Sequence, residues 1–375
     1  MLQAPGGISV SLNSSDRTDR GDCVIRSSGA SNTSGACRTD RGGCANRASK
    51  ELVAGVVAVG NALIDQYYFL SNPVAPGIGA LVKSQSRQTG GVEANVASAI
   101  AALDVPAGIV APLGDDHDAE RIILDLQARG VDTTGARRIP GDETGCCVIL
   151  VMPGVDRIIL GGGTGIRTMR LTEEDRAFIS KWQVIFASAY VPLPVLRDLA
   201  QLRDAASPRQ LFAFDLPDTF DDLSDRGFTR KDFDDLLPSI DLLLTNRPGA
   251  LSYTMTDDFD EACRIIESRL APQAKAAITD GANGARLFWP QGGSCHVPAF
   301  RVEAVDPTGA GDAFHAALIA AWLLEGKDPE SAGRIASAAG ALACLNEGAR
   351  QLLPKRSDIT NFLMTHLGTG FNGSF

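Results

Sequence analysis

The residues best suited to chemistry lie in Val305-Asp306-Pro307-Thr308-Gly309-Ala310-Gly311-Asp312-Ala313-Phe314, which runs into an Ala/Leu-rich segment ending near Leu324. Gly309, Ala310 and Gly311 have little or no side chain, so a bulky anion can come close to the backbone. The apolar run that follows predicts a helix. The first amides of a helix lack intrahelical acceptors, and the helix dipole adds partial positive charge there. Asp312 puts a carboxylate at the same spot. For plain phosphate binding that charge is a liability, because like charges repel. It becomes useful if the carboxylate takes the proton from a hydroxyl that attacks phosphorus. The bland alternative is a helix cap after a turn, where Asp and Gly are favoured in any case.

A second polar group is Thr89-Gly90-Gly91-Val92-Glu93-Ala94-Asn95. The glycine pair opens the backbone to a ligand. Asn95 falls in the first turn of an Ala-rich helix expected over 94–103, where its amide can both donate to and accept from a polyol. A helix cap is again the alternative. Asn61 and Asp65 follow an apolar run, Val53 to Gly60, that reads as a buried parallel strand. Open α/β sheets hold ligands beyond the carboxyl ends of such strands, although Asp65 reads equally well as a turn residue. A single glycine closes that strand, not the spaced trio of a dinucleotide site.

These groups need a framework, and the alternation of elements supplies one. Strands are expected at 108–111, 184–187, 211–214, 241–245 and 276–279, with helices from 117 to 129, 193 to 205, 230 to 237 and 259 to 270 between them. Thr172-Glu173-Glu174-Asp175 has the form of a capping box opening one more helix. The pattern predicts an α/β fold with a doubly wound, mainly parallel sheet flanked by helices. Two irregular extended pieces, about 66–88 and 144–160, interrupt it and are expected to form a small separate sheet over the site, a lid. The expected organisation is a disordered N-terminal extension over 1–50, one α/β domain over 51–368, and a tail over 369–375. The first 50 residues are rich in Ser, Arg, Gly, Asp and Asn and too poor in aliphatics to offset the entropy of ordering.

Composition narrows the function classes. The chain has 375 residues, 44% of them hydrophobic and 21% charged, which suits a soluble globular protein with a substantial core. A net charge of −10 and the lack of any basic block argue against a nucleic-acid partner. No apolar run reaches the roughly 18 residues that span a bilayer. Of the eight cysteines, Cys23, Cys37 and Cys44 fall in the N-terminal stretch, and the others show no paired metal spacing. Cys146-Cys147, on an expected strand, read as small core residues, and a reducing cytoplasm fits best. Gly326-Lys327 is followed by Asp328 and lacks an upstream glycine loop, so it is not a Walker A sequence.

Together the motifs resemble the ribokinase-like (PfkB) family of carbohydrate kinases over about residues 53–355. Two long stretches carry the resemblance, "RQTGGVEANVASAIAAL" and "VDPTGAGDAFHAALIAAWL". Shorter ones agree in order: "AVGNALID", "GDD", "ETGCCVILV", "VDRIIL", "DLLLTN" and "ITDGANGARLF". The resemblance implies ATP-dependent phosphorylation of a primary hydroxyl of a small sugar or sugar acid. It makes Asp312 the general base and Gly309, Ala310 and Gly311 the anion hole for the γ-phosphate. Asp65, Gly90, Gly91 and Asn95 would bind sugar hydroxyls, and Asn246, Thr279, Gly281 and Gly284 would line the nucleotide site. Asp306 matches a loop that holds a monovalent cation, usually potassium, in many members. ATP and Mg²⁺ are the implied cofactors, with K⁺ as a third in many members, and a homodimer through the lid is an implied assembly.

Three departures bear on what the chain does. Where the family usually carries Asn-x-x-Glu, with the glutamate helping to organise Mg²⁺, this chain reads Asn246-Arg247-Pro248-Gly249. Tyr190 stands where ribokinases place a ribose-contacting glutamate, and Val92 where they often have lysine, so ribose itself is not the favoured substrate. The alternatives are a nucleoside kinase of adenosine type, or a ligand-binding member of the fold with weakened catalysis.

Overall fold

The computed structural model describes residues 51–368 except 76, 163, 164, 207, 346 and 347, together with 375. The N-terminal stretch expected to be disordered, with its three cysteines, and most of the tail lie outside the described residues. Among the described residues there are thirteen strands: β1 Val53–Val59, β2 Leu63–Leu70, β3 Val82–Gly90, β4 Ala107–Gly114, β5 Asp132–Ile139, β6 Cys146–Met152, β7 Val155–Gly162, β8 Trp182–Ser188, β9 Leu211–Leu216, β10 Leu242–Asn246, β11 Lys275–Thr279, β12 Ala285–Trp289 and β13 Gly293–Val297. Nine form one sheet in the order β13-β12-β11-β10-β9-β8-β1-β4-β5. All its pairings are parallel except those of β12 with its two neighbours, β11 and β13. The expected doubly wound, mainly parallel sheet is therefore what forms.

Helices cover both faces, because successive side chains on a strand point to opposite sides. Val56 and Ala58 of β1 enter one core, and Val57 and Val59 enter the other. The first core is rich in alanine, which lets helices Ala310–Leu318 and Pro329–Ala343 pack closely. The second is aromatic, with Phe212, Phe214, Phe220, Phe228, Phe233 and Tyr253 in mutual contact. The capping box at Thr172 forms as expected, with Asp175 as its reciprocal partner.

The two irregular pieces do form a separate four-stranded sheet, in the order β3-β2-β6-β7. It leaves the main sheet just after β1, through Gly60, Asn61 and Ala62. Asp65 consequently lies on β2 instead of in a turn, and on this two-sided sheet Cys146 and Cys147 are only half-buried, not core residues. The main sheet changes winding direction at β1, which lies between β8 and β4. In doubly wound sheets the crevice at such a switch point is where ligands bind.

Candidate active site

The switch point is held shut by a buried carboxylate. Glu93, in the first turn of helix Val92–Ala102, accepts from Asn61 N at 2.8 Å, from Ser188 N at 2.9 Å and from Ser188 Oγ at 2.6 Å. It thereby ties the chain after β1 to the end of β8. Gly60 leaves room for this carboxyl: a Cβ there would lie 2.6 Å from Glu93 Cδ. In the sequence Glu93 is one residue of the Gly-Gly motif with no marked role. Its signal was a lone charge among Val92, Ala94, Val96 and Ala97, which on a buried helix face demands partners.

Two residues later on the same helix, Asn95 donates from Nδ2 to Asp312 Oδ2 at 2.8 Å. This bond joins positions 217 residues apart and unites the two polar groups that the sequence singled out. Asn95 Oδ1 is buried and has no hydrogen-bond partner among the described residues. An orphaned acceptor of this kind costs free energy unless a ligand or water donates to it. Asp65 is buried beside Gly90, so closely that a Cβ on Gly90 would collide with its carboxyl, and Gly91 at φ 101° has no room for a Cβ against Asn61 O.

Asp312 enters from the other signature. Helix Ala310–Leu318 starts at Gly309, which has φ 80° and offers no side-chain cap. Ala310 N is taken by Pro307 O at 3.2 Å, whereas the amides of Gly309, Gly311 and Asp312 find no acceptor among the described residues. Of the expected trio, Gly309 and Gly311 therefore offer free donors and Ala310 does not, while Asp312 adds one. Helix Pro329–Ala343 supports this start: a methyl on Gly340 would sit 3.2 Å from Ala310 O.

The electrostatics of the carboxylates follow from this enclosure. Asp312 as a residue is part-exposed, yet its carboxyl is surrounded closely enough that desolvation pushes it up to about 7. The Asn95 hydrogen bond opposes the rise, and the charges of Glu93 and Asp65 add to it. Burial likewise pushes Asp65 up to about 6, against the pull of Arg350 and Arg157. Asp215, at the end of β9, is held well above the usual carboxylate range by burial and then by Asp312 and Glu93. Its neighbour His315 is pushed down to about 4 by burial, and the two approach only to 3.9 Å, so neither need be charged near neutrality.

Asp306 lies outside this cluster. Its Oδ1 accepts from Thr308 N at 2.9 Å and Thr308 Oγ1 at 2.6 Å, and Oδ2 accepts from Gly348 N at 3.0 Å. Arg157, from β7 of the small sheet, reaches Asp306 Oδ1 at 3.1 Å and also bonds Thr308. These bonds hold the Asp306 carboxyl below its usual range, although burial alone would raise it.

The expected nucleotide residues form a different group. Asn246 and Thr279 are register partners at the ends of β10 and β11. Asn246 caps helix Arg247–Thr254, accepting from Gly249 N at 2.8 Å, and donates to Pro217 O at 2.7 Å. Gly281, at φ 52°, opens a short turn that ends at Gly284, whose φ of 93° and contact with Val297 O exclude a side chain. Arg247 is paired with Asp280 at 3.1 Å and lies over the Phe259 ring.

Gly249, where the family glutamate would stand, has no room for one. A Cβ there would meet Thr245 Oγ1 at 2.7 Å and Leu216 O at 2.9 Å. Gly249→Ala should therefore destabilise by about 1–3 kcal/mol, the usual cost of overpacking, as read from urea unfolding. An unchanged midpoint would mean that the strand end yields more easily than its contacts suggest.

Known proteins resemble the chain in sequence and in fold. Residues 53–356 match the pfkB family carbohydrate kinase. The ATP-dependent ribose-1-phosphate kinase of Halopiger xanaduensis is 32% identical over 76% of this chain and 89% of its own length. The 2-dehydro-3-deoxygluconokinase of Thermoproteus tenax is 29% identical over 84% of this chain and 95% of its own. In fold, Arabidopsis thaliana ribokinase, solved with ribose and ATP, superposes with a TM-score of 0.70 at 23% identity, covering 82% of this chain and 98% of that one. Because the family match takes in both signatures and every strand from β1 to β13, the chain belongs to the pfkB family of carbohydrate kinases.

Proposed function

We propose that this sugar kinase uses ATP to phosphorylate a primary hydroxyl of a small sugar or sugar acid, with Asp312 as general base and the Gly309–Asp312 helix start as anion hole. The observation that carries the reading is the Asn95–Asp312 hydrogen bond of 2.8 Å, with Asn95 Oδ1 open and unpaired helix amides at the same residue. The acceptor hydroxyl is bound by Asp65, Gly90, Gly91 and Asn95. Its proton passes to the Asp312 carboxylate while its oxygen forms a bond to the γ-phosphorus. The bond from that phosphorus to the bridging oxygen breaks, and ADP leaves with the electron pair. The helix-start amides face the charge that gathers on the transferring group.

Asn246, Thr279, Gly281 and Gly284 line the nucleotide side in this reading, through backbone and strand ends, since the Asn246 amide is already used as a cap. Mg²⁺ would neutralise nucleotide phosphate charge. Among the described residues no group of three or more His, Cys, Asp or Glu side chains could cage a metal, so the ion would rest on phosphates and water. A potassium ion beside Asp306 belongs to the same reading and would share that carboxyl with Arg157. The catalytic unit is taken as 51–368, with the small sheet as lid. Ile158, Ile159 and Leu160 stand exposed on its edge strand β7 and would suit a homodimer through the lid. A cytoplasmic location accords with the five described free cysteines and the ATP requirement.

The acceptor's own charge has some support. Tyr190, in place of the ribose-contacting glutamate, lies under the Arg226 guanidinium at 4.9 Å. That guanidinium is itself paired with Asp222 at 2.6 Å, so the support for an acidic acceptor comes from the two relatives above, both named for acceptors that bear an acidic group. The same stacking takes up the face of Tyr190, which weakens the nucleoside alternative, since a base would need a free aromatic face there.

A coupled ADP assay over sugars, sugar phosphates, sugar acids and nucleosides, with Mg²⁺ and K⁺ present, tests this directly. No ADP above background with any acceptor, alongside sugar-induced thermal stabilisation, would select the non-catalytic reading instead. With an active acceptor, kcat/KM should fall about tenfold per pH unit below about 7, as Asp312 takes up its proton, and more steeply below about 6, where Asp65 joins. A flat profile between pH of about 5 and 8 would remove Asp312 as the titrating base.

A further inference from the structure

The small sheet carries a second group of charges on the face turned away from Asp65. In the β2–β3 register Asp65 lies opposite Gln88, so these two share one face, and Arg87 and Thr89 project from the other. There Thr89 Oγ1 donates to Asp125 Oδ2 at 2.7 Å and Arg87 Nη2 to Asp118 Oδ2 at 2.5 Å, both on helix His117–Ala128. Between strand and helix lies a pocket of about 220 Å³ lined by four arginines, Arg87, Arg121, Arg129 and Arg350, and by one carboxylate, Asp125.

That carboxylate is overcommitted. Asp125 serves Arg129 Nη2 at 3.0 Å as well as the Thr89 hydroxyl, and Arg350 Nη1 comes no nearer than 3.5 Å. Among the described residues Arg121 bonds only a backbone carbonyl, Arg87 O, at 2.6 Å. The side chain of Arg350 is 2% exposed, and its Nη1 is buried with no hydrogen-bond partner among the described residues. Desolvation depresses this guanidinium to about 10. A buried cation left in this state is the arrangement that a bound anion completes.

We propose that this pocket binds a phosphate-class dianion, either free phosphate or the phosphoryl group of a small phosphomonoester, held by Arg87, Arg121 and Arg129 and by the unpartnered Nη1 of Arg350. Guanidinium forks match phosphate oxygens two at a time. The volume is below the roughly 300 Å³ at which pockets for drug-sized ligands begin, so it suits a small anion rather than a nucleotide. The site is separate from the anion hole because strand β3 stands between it and Asp65.

Arg350 connects the pocket to the active site. Its Nε donates to Thr89 O at 3.1 Å and its Nη2 to Gly90 O at 3.3 Å, and Gly90 is packed on Asp65. The residues just before it bear on the other signature: Gly348 N donates to Asp306, and Ala349 is pressed against Gly309. An anion that settles Arg350 therefore steadies the acceptor loop and the helix start together.

Calorimetric titration of the full chain with inorganic phosphate and, separately, glycerol 3-phosphate, at an ionic strength held constant with chloride, tests the site without requiring turnover. Wild type should bind at least one of the two, and the tighter one identifies the source. Arg87→Gln with Arg121→Gln, two exposed positions, should weaken binding by about tenfold to a hundredfold, the loss expected for charged hydrogen bonds, with ATP affinity unchanged. Arg121→Gln alone, whose fold contacts are slight, should show part of the same loss. Absence of binding in the millimolar range, or binding that both variants leave unchanged, would overturn the proposal, the latter because it would place the anion in the helix-start hole.

Discussion

Asp312→Asn should lower turnover by about 10²–10⁴-fold while leaving ATP affinity nearly unchanged, the range expected for loss of a positioned general base. The substitution is close to isosteric, and the new amide keeps an oxygen to accept from Asn95 Nδ2, so the geometry at 2.8 Å need not change. What disappears is the ability to take a proton. Turnover near the wild-type value would sink the assignment.

The same variant makes a second, opposite prediction about stability. The carboxyl ionises near 3.8 when free and near 7 in the fold, so the native state binds its proton more tightly than the unfolded chain does. That contribution to stability is fully present below the unfolded value and is lost as pH rises through about 7. Asp312→Asn, which never ionises, should therefore melt at a higher temperature than wild type at a pH of about 8, with the gain disappearing towards a pH of about 4. A variant that melted lower at every pH would show that the carboxylate is a structural asset rather than a strained catalytic group.

Gly309→Ala should have the next largest effect. Gly309 has φ 80°, and a Cβ there would lie 2.7 Å from Ala349 Cα and 3.0 Å from its carbonyl oxygen. Both neighbours are backbone, which cannot rotate away as a side chain would. The expected outcome is a loss of about 1–3 kcal/mol of stability from the left-handed conformation and the clash. Turnover should fall by about 10²–10³-fold as the helix-start amides are displaced. Gly311→Ala is the informative control. Its φ is not in the positive range and a Cβ there meets nothing within 4 Å, so folding should be unaffected. If Gly311→Ala also cuts turnover, the missing side chain serves the approach of the anion and not the fold. If Gly309→Ala retains wild-type kcat, the helix start is not the anion hole.

The sheet, its winding and most element positions were legible in the sequence because their causes are local. Apolar runs such as Val53–Val59 and Leu242–Asn246 have both faces buried, and the Thr172 box caps its own helix. Both halves of the candidate site were legible for the same reason: glycine pairs and a helix start leave their mark within ten residues. Two details lay outside such local patterns: Gly249 faces the carbonyl of Leu216 on a neighbouring strand, which leaves no room for a side chain, and Arg247 pairs with Asp280, 33 residues further on.

Sequence alone thus determined the family resemblance, the fold class and the choice of Asp312, since each depends on residue types at short spacing. Only the tertiary structure decided that Asn95 would hold Asp312, that Glu93 would stitch β1 to β8, and that Arg350 would lie between an arginine pocket and the acceptor loop. Buried charges find partners wherever the fold brings them, here across 95, 217 and 260 residues of chain, and no local spacing encodes which partner that will be.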